Sequence, residues 1–218
     1  MDLPRPCGSR WSTGSRSAEL AYDGRVTDLV GALRGALGPI DADPPAGPDR
    51  PAAVIVPVLD LPEPSLLFTV RSMDVRDHKG EISFPGGVRH REDRDLLHTA
   101  LRETEEELGI PPERFDVLGS LPPTQTVVSG FLIAPFVGIL AERPPLRPSP
   151  VEIDEVLELE LRRLASVERE AGVDRKGERR TWFAYEIDGN TVWGATGRIV
   201  HSFLAALRDG GWNGSKED

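Results

Sequence analysis

Between Arg102 and Gly109 the chain reads Arg-Glu-Thr-Glu-Glu-Glu-Leu-Gly, and Phe84-Pro85-Gly86-Gly87 stands a short way upstream. On an α-helix, at about 100° per residue, Glu106 and Glu107 fall on either side of Glu103 within a sector roughly 100° wide. Glu105 lies about 200° round from Glu103, towards solvent. Leu97, Leu101 and Leu108 gather between roughly 120° and 160°, an apolar stripe for packing on a sheet. Arg102 is placed one helical turn before Glu106 and can pair with it. Like charges this close repel unless a cation stands among them. An oxygen-only donor set suits Mg²⁺, Mn²⁺ or Ca²⁺ and offers little to zinc. Such a triplet alone also reads as a solvated helix face, and a double glycine alone as an ordinary turn. The combination predicts more. Pro85 stops a strand, and Gly86-Gly87 lets main chain approach where side chains would obstruct. A phosphate held beside a metal-binding helix is the chemistry this pairing suggests.

With those residues in view, the segment resembles the Nudix box, Gly-x5-Glu-x7-Arg-Glu-U-x-Glu-Glu-x-Gly-U, where U is bulky and apolar. Arg102 to Ile110 match its second half, with Thr104 in place of the apolar U. The first half departs: Gly87 lies one residue farther from Arg102 than the pattern has it, and the upstream Glu is missing, with Glu92 and Asp93 the nearest acids. A second stretch, Leu67-Phe68-Thr69-Val70-Arg71-Ser72 followed by Arg76, Gly80 and Phe84-Pro85-Gly86-Gly87, resembles the motif of the coenzyme A pyrophosphatase branch, with only Phe68 departing. That branch tends to carry the longer box. Thr126 to Phe131 and Val192 to Thr196 look like further branch features.

The resemblance implies an α/β Nudix fold, a mixed β-sheet sandwiched between α-helices. It also implies hydrolysis of the diphosphate of coenzyme A to 3′,5′-adenosine bisphosphate and 4′-phosphopantetheine. Glu103, Glu106 and Glu107 would hold Mg²⁺ or Mn²⁺, neutralising the diphosphate and lowering the pKa of the attacking water. Glu106 and Glu107 would bind metal most directly, and Glu103 would bind metal or orient water. The general base comes from the box or from a later loop, in which Glu152 and Glu155 are the candidates and Glu152 is preferred. That stretch also reads as a solvated loop leading into a strand. Arg71, Arg76 and Lys79, with Gly86 and Gly87, form the expected substrate site. Asp74, Asp77 and Glu81 are interleaved with these cations, so ordinary surface ion pairing stays open. Arg89, His90 and Arg91 read as an exposed loop, and His78, His98 and His201 as surface or packing residues. Two alternatives remain: a Nudix pyrophosphatase acting on ADP-ribose, NADH or another nucleoside diphosphate derivative, and a Nudix-fold module that senses a nucleotide without turning it over.

The elements that must position these residues are legible in outline. Apolar spacing predicts a helix over Ala21–Leu37, and Pro39–Pro51 reads as a linker. Ala52–Leu59 and Leu66–Val70 read as strands around a hairpin-like turn, and Ile82–Phe84 as a short strand. The acidic helix should run from about Asp93 to Leu108 and be capped by Gly109. Strands are expected over Phe115–Leu121, Phe131–Leu140, Val156–Glu160, Trp182–Ile187 and Thr191–Trp193, and a last helix over Thr196–Arg208. Residues 1–18 read as a disordered tail, 19–51 as helix and linker, 52–209 as the catalytic domain and 210–218 as a C-terminal tail.

Composition narrows the function classes. A chain of 218 residues with 39% hydrophobic and 28% charged residues suits one globular domain with appendages. No apolar run approaches the roughly 18–20 residues needed to cross a bilayer, and the N-terminus does not read as a secretory signal. Cys7 is the sole cysteine, so an internal disulfide and a cysteine-based metal site are excluded, and a reducing cytoplasm is the expected compartment. A formal charge of −10 argues against nucleic acid polymers and anionic membranes as partners. The expected partner is a small-molecule diphosphate, bound by a monomer or homodimer.

Overall fold

The computed structural model describes residues 26–41, 50–73, 80–126, 130–175 and 178–212. The expected tail over residues 1–18, together with Asp74, Arg76, Asp77, His78, Lys79 and residues 213–218, lies outside them. Eleven strands are present among the described residues: β1 (Arg50–Leu59), β2 (Ser65–Arg71), β3 (Ile82–Ser83), β4 (Gly86–Val88), β5 (Asp116–Ser120), β6 (Thr124–Gln125), β7 (Phe131–Leu140), β8 (Ile153–Glu160), β9 (Glu168–Arg175), β10 (Glu178–Ile187) and β11 (Asn190–Val192). The helices are α1 (Val26–Ala36), α2 (Leu96–Leu108), α3 (Leu161–Val167) and α4 (Gly194–Asp209).

β1 is the spine. Ala53, Ile55 and Leu59 are buried on one face and Val56 and Val58 on the other. A strand apolar on both faces needs cover on both. α2 covers the first with Leu96, Ala100 and Leu108. α1 and α4 cover the second with Leu29, Leu33, Ile199 and Phe203. The sheet runs β3-β2-β1-β7-β5, and β4, β6 and β8 pair with β1, β7 and β2. β1 and β7 are parallel from Arg50↔Phe131 to Leu59↔Leu140, whereas the remaining pairs are antiparallel. The sheet is therefore mixed and lies between helices, the α/β Nudix architecture expected. A second sheet, β11-β10-β9, packs against α4.

One opening in the main sheet decides where the site forms. β1 and β2 pair only at Val58↔Leu66 and Leu59↔Ser65. They then part, and residues 82–88 fill the gap, with β3 on β2 and β4 on β1. Inside this wedge the Ile55 N–H donates to the Pro85 carbonyl at 3.0 Å. The glycine corner expected as a turn is thus a strand, with Gly86 opposite Val54 and Gly87 opposite Ala53. Gly86 has φ +148°, and a Cβ there would lie 2.2 Å from the Ala53 carbonyl oxygen. Only glycine fits.

Other elements depart from expectation. α3 and β9 were not foreseen. β9, Glu-Arg-Glu-Ala-Gly-Val-Asp-Arg, lacks apolar alternation and is a strand because β10 pairs along all of it. β1 begins at Arg50, inside the expected linker, and β8 begins at Ile153, three residues early. Both extensions carry few apolar residues but have a neighbouring strand to bond.

Candidate active site

α2 starts at Asp95, whose Oδ1 accepts the His98 N–H at 2.7 Å, and ends at Gly109 in the left-handed region with φ 69°. These caps fix which turn of the helix meets the wedge. Its buried residues are Leu96, Thr99, Ala100, Thr104, Glu107 and Leu108. Leu97 and Leu101, expected in the packing stripe, are only half-buried. The packed face is rotated from the apolar stripe towards the acids, and Glu107 goes inside with it.

Glu107 is 3% exposed. Its Oε2 accepts the Gly86 N–H at 3.1 Å, and its Oε1 stands 4.0 Å from Arg71 Nη1. Burial pushes the Glu107 carboxyl up to about 8, against the pull of the Gly86 amide and Arg71. Burial also raises Glu103, opposed by Arg102, whose Nη2 lies 2.8 Å from Glu103 Oε1. The Glu103 carboxyl covers Gly87, where a Cβ would come within 2.6 Å of its Cδ. Glu106 is exposed and accepts from Arg102 Nη1 at 3.1 Å.

The expectation of three converging acids holds only in part. Among the described residues no three His, Cys, Asp or Glu side chains close on a point fit for a metal ion. Glu103 and Glu106 reach Arg102 instead, while Glu107 is held by the corner. The donor set still fits a hard divalent cation: three long, all-oxygen side chains on adjacent turns, of which Glu107 has its nearest cation 4.0 Å away. The Gly86 amide, expected to face a phosphate, is taken by Glu107.

The loop before β8 completes the surroundings. The Arg147 and Ser149 N–H groups each donate at 2.8 Å, to the Leu108 and Glu107 carbonyls, fastening this loop to the end of α2. The Ser72 N–H donates to the Glu152 carbonyl at 2.8 Å. Glu152 is exposed, and its charge reaches Glu107 and pushes it in the same direction as burial. Glu155 is exposed on β8 opposite Val70. Arg71, at the end of β2, has a buried Nε without a hydrogen-bond partner among the described residues. A buried acid and an arginine whose Nε has no acceptor among the described residues therefore face each other.

A model of the NUDIX domain matches residues 48–183. The chain belongs to the Nudix family. An uncharacterized Nudix hydrolase, NudL of Pectobacterium atrosepticum, is 39% identical over 167 residues, covering 76% of this chain and 86% of the relative. NudL of Photorhabdus laumondii is 37% identical over 162 residues, covering 73% and 86%. Among solved structures, a MutT/nudix family protein from Enterococcus faecalis superposes with a TM-score of 0.50 at 16% identity, covering 76% of this chain and 64% of that one, a likeness of fold. Nudix hydrolases act on small-molecule nucleotide derivatives and generally use divalent metal ions. No helix among the described residues is long and apolar enough to cross a membrane.

Two departures of this Nudix hydrolase from the box have physical answers. Thr104 is fully buried, and its Oγ1 donates to the Ala100 carbonyl at 2.7 Å, so the hydroxyl is satisfied within the helix. The missing upstream Glu is replaced by Asp93, which sequence reasoning left without a role. Asp93 is 4% exposed and receives Arg102 Nε at 2.8 Å, Arg102 Nη2 at 3.0 Å, Thr99 Oγ1 at 3.0 Å and the His90 N–H at 2.8 Å. His98 Nδ1 lies 3.1 Å away. Led by Arg102, these partners hold the Asp93 carboxyl far below the usual range. Counting would have found it: Gly-x5-Glu from Gly87 lands on residue 93, and the extra residue falls between Asp93 and Arg102. Arg89, in the same loop, turns to the Asp93 and Arg94 carbonyls, while Arg91 is exposed.

Proposed function

We propose that this Nudix hydrolase cleaves the diphosphate bond of coenzyme A or its derivatives, releasing 3′,5′-adenosine bisphosphate and 4′-phosphopantetheine. The observation that carries this reading is Arg71. It belongs to the stretch that resembles the coenzyme A pyrophosphatase motif, it stands 4.0 Å from Glu107, and its buried Nε lacks an acceptor among the described residues. A phosphate oxygen would supply that acceptor. Arg76 belongs to the same motif, Lys79 lies between it and the glycine corner, and both are proposed as further phosphate contacts.

Glu103, Glu106 and Glu107 are the residues that would hold Mg²⁺ or Mn²⁺. When bound, the ion supplies charge neutralisation for the diphosphate and activates water. Arg102 holds Glu103 and Glu106 in place and is itself anchored by Asp93. Gly86 and Gly87 have a packing role, since they let Glu107 and Glu103 reach the sheet. Glu152 is the proposed general base: it is exposed, its loop is fastened to the end of α2, and its charge reaches Glu107. Its own partner would be the water that attacks phosphorus.

Parallel hydrolysis assays with coenzyme A, 3′-dephospho-coenzyme A, ADP-ribose and NADH test the reading. Coenzyme A is expected to have the highest kcat/KM. Equal cleavage of the dephosphorylated analogue would remove the 3′-phosphate from the recognition scheme and favour a general nucleoside diphosphate activity.

A further inference from the structure

On the face of the sheet away from α2 there is a cavity of about 610 Å³ between α4, the residues that follow α1, and the segment joining β5 to β6. That volume is typical of a small-molecule site. Leu121, Pro122 and Ala205 give it an apolar lining, and Asp41, His201 and Asp209 add polar groups. Both carboxylates are exposed, and neither makes a hydrogen bond or ion pair among the described residues. His201 is held by its ring, stacked on Phe183 with centroids 3.5 Å apart, and by Nδ1, which faces Glu168 Oε1 at 2.9 Å. Its Nε2 has no partner among the described residues. Prolines in the lining contribute carbonyls and no N–H.

The cavity therefore offers two carboxylates without a partner among the described residues over an apolar floor, in a protein of net charge −10. Anions are disfavoured. A bare metal ion is also disfavoured, because Asp41, His201 and Asp209 are not close enough together to hold one. The partner that fits is larger: an ammonium group on an apolar body. We propose that this cavity is a second ligand site, distinct from the carboxylate helix, and that it binds an organic amine cation. Its charged and imidazole groups, Asp41, His201 and Asp209, lie outside residues 48–183 that match the family domain, and Ser120 within that domain also lines it. The site would thus belong to the elements flanking the common domain, and it stands whatever diphosphate the enzyme cleaves.

Calorimetric titration of the full chain at physiological ionic strength tests it with phenethylamine, phenethyl alcohol and phenylacetate, one body in three charge states. The amine is expected to bind saturably at one site, the alcohol at least about tenfold more weakly, and phenylacetate without detectable heat. Asp41→Asn and Asp209→Asn are each expected to weaken the amine, and Ala205→Trp to abolish binding by filling the space. Both Asp positions are exposed, so those variants keep the fold, as circular dichroism would register. The proposal is overturned if the amine shows no saturable binding up to about 10 mM, if the alcohol binds as tightly, or if both Asp variants bind the amine unchanged. It is also overturned if Glu106→Gln alone removes the binding, which would put the amine on the carboxylate helix.

Discussion

Asp93 and Glu107 are both buried acids beside the same helix, yet their surroundings are opposite. Asp93, at the helix entrance, is met by a guanidinium, a hydroxyl, a backbone amide and an imidazole, and its carboxyl is held low. Glu107, near the helix end, has one amide and a guanidinium 4.0 Å away, and burial pushes it up to about 8. A buried charge with a full set of partners builds structure, whereas one left short of them is ready for a ligand. Arg102 joins the two regions, anchored on Asp93 and holding Glu103 and Glu106.

The contrast can be broken from either end. Glu107→Gln should reduce diphosphate hydrolysis by on the order of 10²–10³-fold or more while the protein stays folded. An unaltered rate in a steady-state assay would deny Glu107 any part in the chemistry. Asp93→Asn should behave differently, costing about 3 kcal/mol of unfolding free energy because Arg102 loses its buried partner. Urea denaturation checks this, and a loss below about 0.5 kcal/mol would make the Asp93 cluster incidental. Gly86→Ala tests the corner that feeds Glu107. Its Cβ would meet the Ala53 carbonyl at 2.2 Å with φ at +148°, and about 2 kcal/mol of destabilisation is expected by the same method.

The two acids also predict opposite pH responses in metal-free protein. Glu107 titrates near 8 when folded, above its ordinary value of 4.5, so the native state binds the extra proton between those values. Stability from this group is full below about 4.5 and declines as pH rises towards 8, by about 1.4 kcal/mol per pH unit across that window. Asp93 is depressed, so its contribution is present above about pH 4 and is lost as pH falls further. Unfolding curves with and without Mg²⁺ at pH 5 and 8 separate them: the ion should restore stability at pH 8 and change little at pH 5. The smallest effect is expected at Thr104→Val, which removes a hydroxyl bonded only to its own helix and should shift stability by less than about 1 kcal/mol.

Local chemistry made part of this readable in advance. The Gly109 cap, the ten-residue β7 and the spine strand β1 follow from neighbouring residues alone, because a cap needs a left-handed glycine and a buried strand needs an apolar run. β4 and β9 did not, because their residues become strands only when β1 and β10 present unpaired edges. The helix wheel ranked Leu97 and Leu101 above Thr99 and Thr104 for burial, since it knows polarity but not which side the sheet approaches.

By itself the chain of residues determined the family, the acidic helix and the cation-bearing stretch before it, because side-chain types and their spacing set which charges a helix can gather. Only the tertiary structure decided which glutamate is buried, that Asp93 anchors Arg102, and that the amide of Gly86 is spent on Glu107. Those outcomes depend on the parting of β1 and β2 and the wedge that enters between them. Burial and partner count are properties of packing between segments distant along the chain, and no local pattern encodes them.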